Sequence, residues 1–290
     1  MRIQFLALLF LIFFNSCSSS PIREPSSLNL RENCFEALSY FQDRYIKGLK
    51  ESQILDGELT PINNRERSEV ELSMKFSEVE GELTGIHRGA GSTDPTFYAL
   101  DDGIKVVWKE HKKIKLSNYR AEVLAFELDR LWGFNLVPET VERSIDGGVG
   151  SVQLFKESIT GPLLKYNIKN NMSEEAIARV QHNLSKQSMF DYLIENNDRN
   201  VNNYLFTLEG ELYSIDNAAS FTGIGFYQKS FAAREEDIKA FLSTDEGEAV
   251  FKNIVSNYDE SFKKQIIEYI GKKDARRFLE RIEKIILIND

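Results

Sequence analysis

Part-way along the chain the apolar residues change their spacing. Between residues 96 and 155 they fall in short runs bounded by turns, and from Ser173 onward they recur at helical intervals. Strands gathered in one stretch and helices in another give an α+β fold rather than alternating βα units around a parallel sheet. Residues 96–100 (TFYAL) read as a strand, 101–103 as a hairpin turn and 104–109 (IKVVWK) as a strand rich in β-branched and aromatic residues. A helix follows, with Ser117 or Asn118 as its cap and Gly133 at its end. Ala121, Leu124, Ala125, Leu128 and Trp132 form its apolar stripe, and Glu122 sits at the edge of that stripe.

Further strands are expected at 136–141 and 150–155, with a turn at 146–148 between them. Residues 69–86 alternate poorly, and only 82–86 read as a strand. The polar stretch 161–172 reads as a linker. Ser173, followed by Glu174 and Glu175, starts a long helix. Amphipathic helices are expected at 235–242, 246–256, 261–270 and 274–288, and the cluster Lys272, Lys273, Arg276 and Arg277 reads as a solvated basic face.

At the N-terminus, Arg2 precedes the apolar run 5–14 (FLALLFLIFF), and small polar residues follow. The run is too short to span a bilayer and has the layout of a secretory signal. Ser16–Cys17 after it resembles a bacterial lipobox, although Phe14 and Asn15 depart from the usual residues there. Residues 1–16 are therefore expected to be removed on export to the bacterial cell envelope. Cys17 would be lipidated there and anchored in a membrane, facing the periplasm or the surface. Residues 17–30, with Pro21 and Pro25, would form a tether. An ordinary signal peptide with an incidental cysteine is the plainer alternative. With Cys17 acylated, Cys34 has no partner for a disulfide and reads as a core residue of a leading helix capped by Asn33.

The chain has 290 residues, 36 Lys+Arg against 45 Asp+Glu, and a net charge of −9. No excess of positive charge exists for a phosphate-tracking nucleic-acid surface. Two cysteines and three histidines are too few for an ordinary Cys/His zinc centre.

The chemistry-bearing residues concentrate between 196 and 216. Asp198 and Asn203 stand five apart in NNDRNVNNYLF, and the strand-like LYSID delivers Asp216 thirteen residues later. Asp, Asn and Asp form a hard, all-oxygen set suited to Mg²⁺ or Mn²⁺, and phosphoryl transfer needs such a set beside an orienting carboxylate. Turn chemistry alone also enriches loops in Asn and Asp. Upstream, the glycine-containing stretch 87–95 (HRGAGSTDP) lies between two strands, and Lys109 ends the strand after the hairpin. A glycine loop by itself is usually only a turn, and Glu122 by itself only a solvated glutamate on a helix flank.

In order and spacing these segments resemble the protein-kinase-like superfamily. The likeness is to its atypical branches: the secretory-pathway Golgi casein kinases, the HipA-like kinases and the phosphoinositide kinases. Residues 120–141 (RAEVLAFELDRLWGFNLVPETV), 150–155 (GSVQLF), 190–203 (FDYLIENNDRNVNN) and 214–221 (SIDNAASF) carry the likeness, which covers roughly residues 81–221. It implies a two-lobed protein-kinase-like fold, with a small antiparallel-sheet N-terminal lobe and a mostly helical C-terminal lobe. Residues 31–160, with the leading helix, would form the first and 161–290 the second.

It also implies roles. Lys109 would contact the α/β-phosphates of ATP and pair with Glu122. Asp198 would orient or deprotonate the acceptor. Asn203 and Asp216 would bind Mg²⁺ or Mn²⁺, and the loop with Gly89 and Gly91 would cover the phosphates. The acceptor could be a protein, a lipid or a small molecule. A clean G-x-G-x-x-G is missing from that loop, and Ala218 stands where a glycine often follows the metal-binding aspartate. Nucleotidyl transfer, or a kinase-shaped binding module without catalysis, are the alternative activities.

Overall fold

A computed structural model describes residues 61–62, 65–84, 95–111, 118–196, 198–223 and 231–289. The expected leader, Cys17, the tether, the helix around Cys34, Gly89 and Gly91 lie outside these residues, as does Ser117. Among the described residues no helix is long and apolar enough to cross a membrane.

The fold is a mixture of a small antiparallel sheet and many helices. Strands β1 (Val79–Glu82), β2 (Thr96–Leu100), β3 (Lys105–Glu110), β4 (Thr140–Ile145) and β5 (Gly148–Leu154) form one sheet in the order β1-β2-β3-β5-β4. Every neighbouring pair in it is antiparallel. The β2–β3 turn places Gly103 at φ 84°, a conformation glycine adopts without steric cost.

Two helices cover the sheet. Helix α1 (Glu69–Phe76) packs Met74 into an apolar cluster with Leu100, Val106, Trp108, Val141, Ile145 and Val152. Side chains alternate across a strand, so Val106 and Trp108 enter that cluster while Lys109 points to the opposite face. That face meets α2 (Tyr119–Trp132), whose N-cap Asn118 accepts from Arg120 N and whose Gly133 closes it at φ 80°.

The remaining chain is mainly helical: α3 (Gly161–Asn170), α4 (Glu174–Leu193), α5 (Phe231–Leu242), α6 (Asp245–Asn257), α7 (Glu260–Ile270) and α8 (Lys272–Asn289). A second sheet of β6 (Ile159–Thr160), β7 (Tyr204–Phe206) and β8 (Leu212–Ser214) lies among them. The larger apolar cluster joins α2 to these helices through Trp132, Phe134, Phe190, Phe241, Phe262 and Phe278. Trp132 and Phe278 stack there with ring centroids 6.0 Å apart.

Several expectations are corrected. Residues 161–172 are not a plain linker: Pro162 sits in the first turn of α3, where its missing N–H costs nothing. In the weakly patterned stretch 69–86, Ser68 caps α1 through its side chain, and the strand is β1 at Val79–Glu82, not 82–86: residues 83–84 are outside it and 85–86 lie outside the described residues. The strand expected at 136–141 begins only at Thr140, because Pro138 cannot donate to a ladder. Helix α2 is buried on nearly every side, Glu122, Glu127 and Asp129 included, rather than along a single stripe. Arg277 is no solvated cation: it bonds Glu195, Asp274 and the Phe221 carbonyl.

Candidate functional site

The site forms where β3 and α2 meet the segments on either side of β7 and β8. Lys109 leaves β3 on the α2 side, and its Nζ lies 2.6 Å from Glu122 Oε1 and 2.9 Å from Asp216 Oδ1. Glu122 is 1% exposed, and its second oxygen accepts from the Asn217 backbone N–H at 2.9 Å. One glutamate on α2 therefore grips both the strand lysine and the backbone just past Asp216.

The clamp has clear electrostatic consequences. Burial works against the Lys109 charge, but Asp216 and Glu122 outweigh it and hold the ammonium above its ordinary pKa. Lys109 in turn holds the Asp216 carboxyl below its ordinary value, with help from Arg199 against the effect of burial. The backbone at Asp216 is left-handed, φ 57°, which is uncommon for a side chain with a Cβ and worth a functional reading. Ala218 is not among the residues at positive φ, so its backbone does not call for a glycine.

Asp198 follows α4 in an irregular stretch. Its backbone N–H donates to Asn196 Oδ1 at 3.1 Å, and its carbonyl accepts from Asn203 Nδ2 at 3.0 Å and Asn200 Nδ2 at 3.2 Å. These asparagines anchor the main chain and leave the Asp198 carboxylate without a hydrogen-bond donor among the described residues. Burial, then the nearby Asp216 charge, push this carboxyl up to about 6, although Arg199 opposes them. A general base poised near neutrality has this character. The single 3-10 turn Val201–Asn203 carries Asn203 into place. With its amide nitrogen on Asp198, Asn203 Oδ1 is left without a donor among the described residues, as is Asp216 Oδ2.

Two residues that organise the site escaped the sequence reading. Arg199, its side chain 3% exposed, pairs with Asp191 at 3.1 Å. It also donates to the carbonyls of Asn203 and Ile215 and to Asn217 Oδ1. It thus ties the Asp198–Asn203 loop to the Ile215 carbonyl before Asp216 and to the Asn217 side chain after it. Asn217, 0% exposed, joins that arginine to Glu122. A charged residue inside an Asn-rich loop, with a buried aspartate eight positions earlier on a helix, was the available signal for Arg199.

Lys109, Glu122, Asn203 and Asp216 were each expected in one site. Lys109, Glu122 and Asp216 are in direct contact, and Asn203 and Asp198 reach Asp216 through Arg199 and through charge. Among the described residues no group of three or more His, Cys, Asp or Glu is arranged for a metal ion. Asp216 Oδ2 and Asn203 Oδ1, which accept from no donor among the described residues, are the side-chain oxygens left to meet a divalent ion, which would need further oxygens beside them. That suits Mg²⁺, which keeps water and phosphate oxygens around one or two protein carboxylates. No known family model matches the chain, and no curated protein matches it.

Proposed function

We propose that the chain is an exported kinase-like phosphotransferase that moves phosphate from a nucleotide, ATP in the first instance, to an acceptor. In this reading the β1–β5 sheet with α2 is the small lobe, and the helical remainder is the large one. The observation that carries it is the Lys109 ammonium held between Glu122 and Asp216, at 2.6 and 2.9 Å, by residues 13 and 107 positions along the chain. Phosphoryl transfer relies on positioning and charge rather than covalent chemistry, and a fixed cation beside hard oxygen ligands supplies both.

Each residue then has a task. Lys109 offers its positive charge to nucleotide phosphates, and Glu122 fixes where that charge sits. Asp198, whose carboxylate has no competing donor among the described residues, orients the acceptor hydroxyl and takes its proton. Asp216 and Asn203 would hold Mg²⁺ or Mn²⁺, which when bound neutralises charge on the phosphates. Among the described residues the site holds four carboxylates, Glu122, Asp198, Asp216 and the Asp191 that pairs with Arg199, against two cations, Lys109 and Arg199. A polyphosphate enters such a site only together with a divalent cation, which supports a metal-dependent reaction.

The leader and Cys17 support a lipid-anchored location in the cell envelope, and the acceptor is left to experiment. The test measures nucleotide affinity and phosphate transfer with Mg²⁺ and with EDTA, in the full chain and in Asp216→Ala. Binding and transfer should require the metal, and both should fail in a folded Asp216→Ala protein. Full transfer by that variant would refute the reading. Binding without transfer across a broad acceptor panel would assign a nucleotide-binding module instead, and labelling of the acceptor with the whole nucleotide would assign nucleotidyl transfer.

A further inference from the structure

The chain before the sheet touches both apolar clusters. Ile62 is buried in the larger cluster and Met74 in the smaller. Between them, two arginines meet two buried glutamates. Arg65 Nε donates to Glu127 Oε2 at 2.8 Å, and its two Nη atoms donate to the Glu71 oxygens at 2.9 and 3.1 Å. Arg67 lies 3.3 Å from Glu71 and 3.6 Å from Glu127. The Glu71 and Glu127 side chains are 3% and 0% exposed, and the Arg65 guanidinium also covers the Phe126 ring at 5.1 Å.

Glu127 stands five residues after Glu122 on α2. At ~100° per residue the two carboxylates leave the helix about 140° apart. One side of α2 is therefore fastened to Lys109 and Asn217, and the far side to Arg65 and Arg67. Apolar packing around the rest of the helix is not directional, whereas a guanidinium fork meeting a carboxylate fixes both distance and orientation.

We infer that Arg65 and Arg67 are positioning residues, holding α2 in the rotation and height that bring Glu122 to Lys109 and to the Asn217 amide. Without the arginines, Glu71 and Glu127 would face each other as two buried like charges, and the segment would be driven off the helix. The inference deepens the phosphotransferase reading, since Glu122 matters there through Lys109. The contact it concerns can nevertheless be read without any catalysis.

The test is amide hydrogen exchange at residue resolution on the full chain, wild type against Arg65→Gln/Arg67→Gln. The Asn217 amide, bonded to Glu122, should exchange about tenfold faster or more, while Val106 and Val152 in the sheet keep their protection. Unchanged exchange at Asn217 overturns the inference. So does an equal rise at all three positions, which would mean that the arginines support the whole fold rather than the placement of α2. Should the double variant fail to fold, adding Glu71→Gln and Glu127→Gln removes the unpaired buried charges at nearly constant volume. Selective loosening of Asn217 in that quadruple variant supports the brace, and wild-type exchange there sinks it. If the chain also transfers phosphate, kcat should drop in these variants with nucleotide KM little altered. A chain that proves inactive leaves the exchange result standing.

Discussion

Replacing Asp198 with asparagine should stabilise the folded protein at neutral pH while it abolishes transfer. The carboxyl is largely shielded from solvent, has no hydrogen-bond donor among the described residues and feels the Asp216 charge, which together raise it from 3.8 to about 6. A raised carboxyl pKa means that the folded state binds the proton more tightly than the unfolded chain does. Below about pH 4 both states are protonated and Asp198 costs nothing. Between about pH 4 and 6 only the folded state holds the proton, so stability falls as pH rises; above about 6 the full penalty is present. At ~1.4 kcal/mol for each pH unit, the rise from 3.8 to about 6 sets a ceiling of ~3 kcal/mol. Partial solvent access places the expected gain at ~1–3 kcal/mol. Asparagine keeps the volume and the backbone contacts to Asn196, Asn200 and Asn203 but carries no charge to bury. The assay is urea unfolding of wild type and Asp198→Asn from pH 4 to 8. The two should coincide near pH 4, diverge through pH 6 and run parallel above it, with the variant the more stable. Phosphate transfer should fall ~10²–10⁴-fold, with Mg²⁺-nucleotide affinity nearly unchanged, and wild-type transfer should rise with pH through about 6. A stability difference that does not vary with pH, or a variant less stable at pH 7, would refute the account of Asp198.

Two further outcomes follow from the same clamp and from the leader. Lys109→Ala strands the Glu122 carboxylate in the interior and should cost ~3–5 kcal/mol by urea unfolding, a loss that Lys109→Ala/Glu122→Gln should largely recover; equal instability of the two variants would show that the pair is not what the lysine serves. Cys17→Ser should turn a membrane-fraction protein into a soluble or unprocessed one, because several acyl chains anchor far more firmly than one; identical membrane association on fractionation would rule out the lipid anchor.

The elements that the sequence made legible are those whose cause is local. Asn118 and Gly133 bound α2, Ser173 caps α4 through its side chain, and the 96–100 strand and its turn fall where their residues demand. Helix α1 was missed because its signal is weak: among its eight residues only Glu71 and Met74 are buried, and the apolar one, Met74, is buried by residues remote in sequence. The helix lies on β4 and β5, and Glu71 meets Arg65 and Arg67. The full burial of α2 was invisible for a related reason. Its charged residues look solvated along the helix, and only distant partners such as Arg65, Lys109 and the Leu136 amide explain them.

The site divides along the same line. The side chains singled out for the site were legible through the resemblance, which matched a strand lysine, a helix glutamate and the Asp/Asn/Asp set in their order along the chain. The residues that hold them were not, because Arg199 and Asn217 act on main-chain atoms, and any residue type can supply a carbonyl or an amide. Arg199 bonds the carbonyls of Asn203 and Ile215, and Asn217 offers its own N–H to Glu122. This scaffold also accounts for the alanine at 218. The unusual backbone turn falls at Asp216, φ 57°, two residues earlier. Its neighbours Ile215 and Asn217 are both bonded to Arg199, so the aspartate is held in a left-handed conformation from either side. The freedom that a glycine would bring at 218 is therefore unnecessary, because the left-handed turn is already made and held at Asp216.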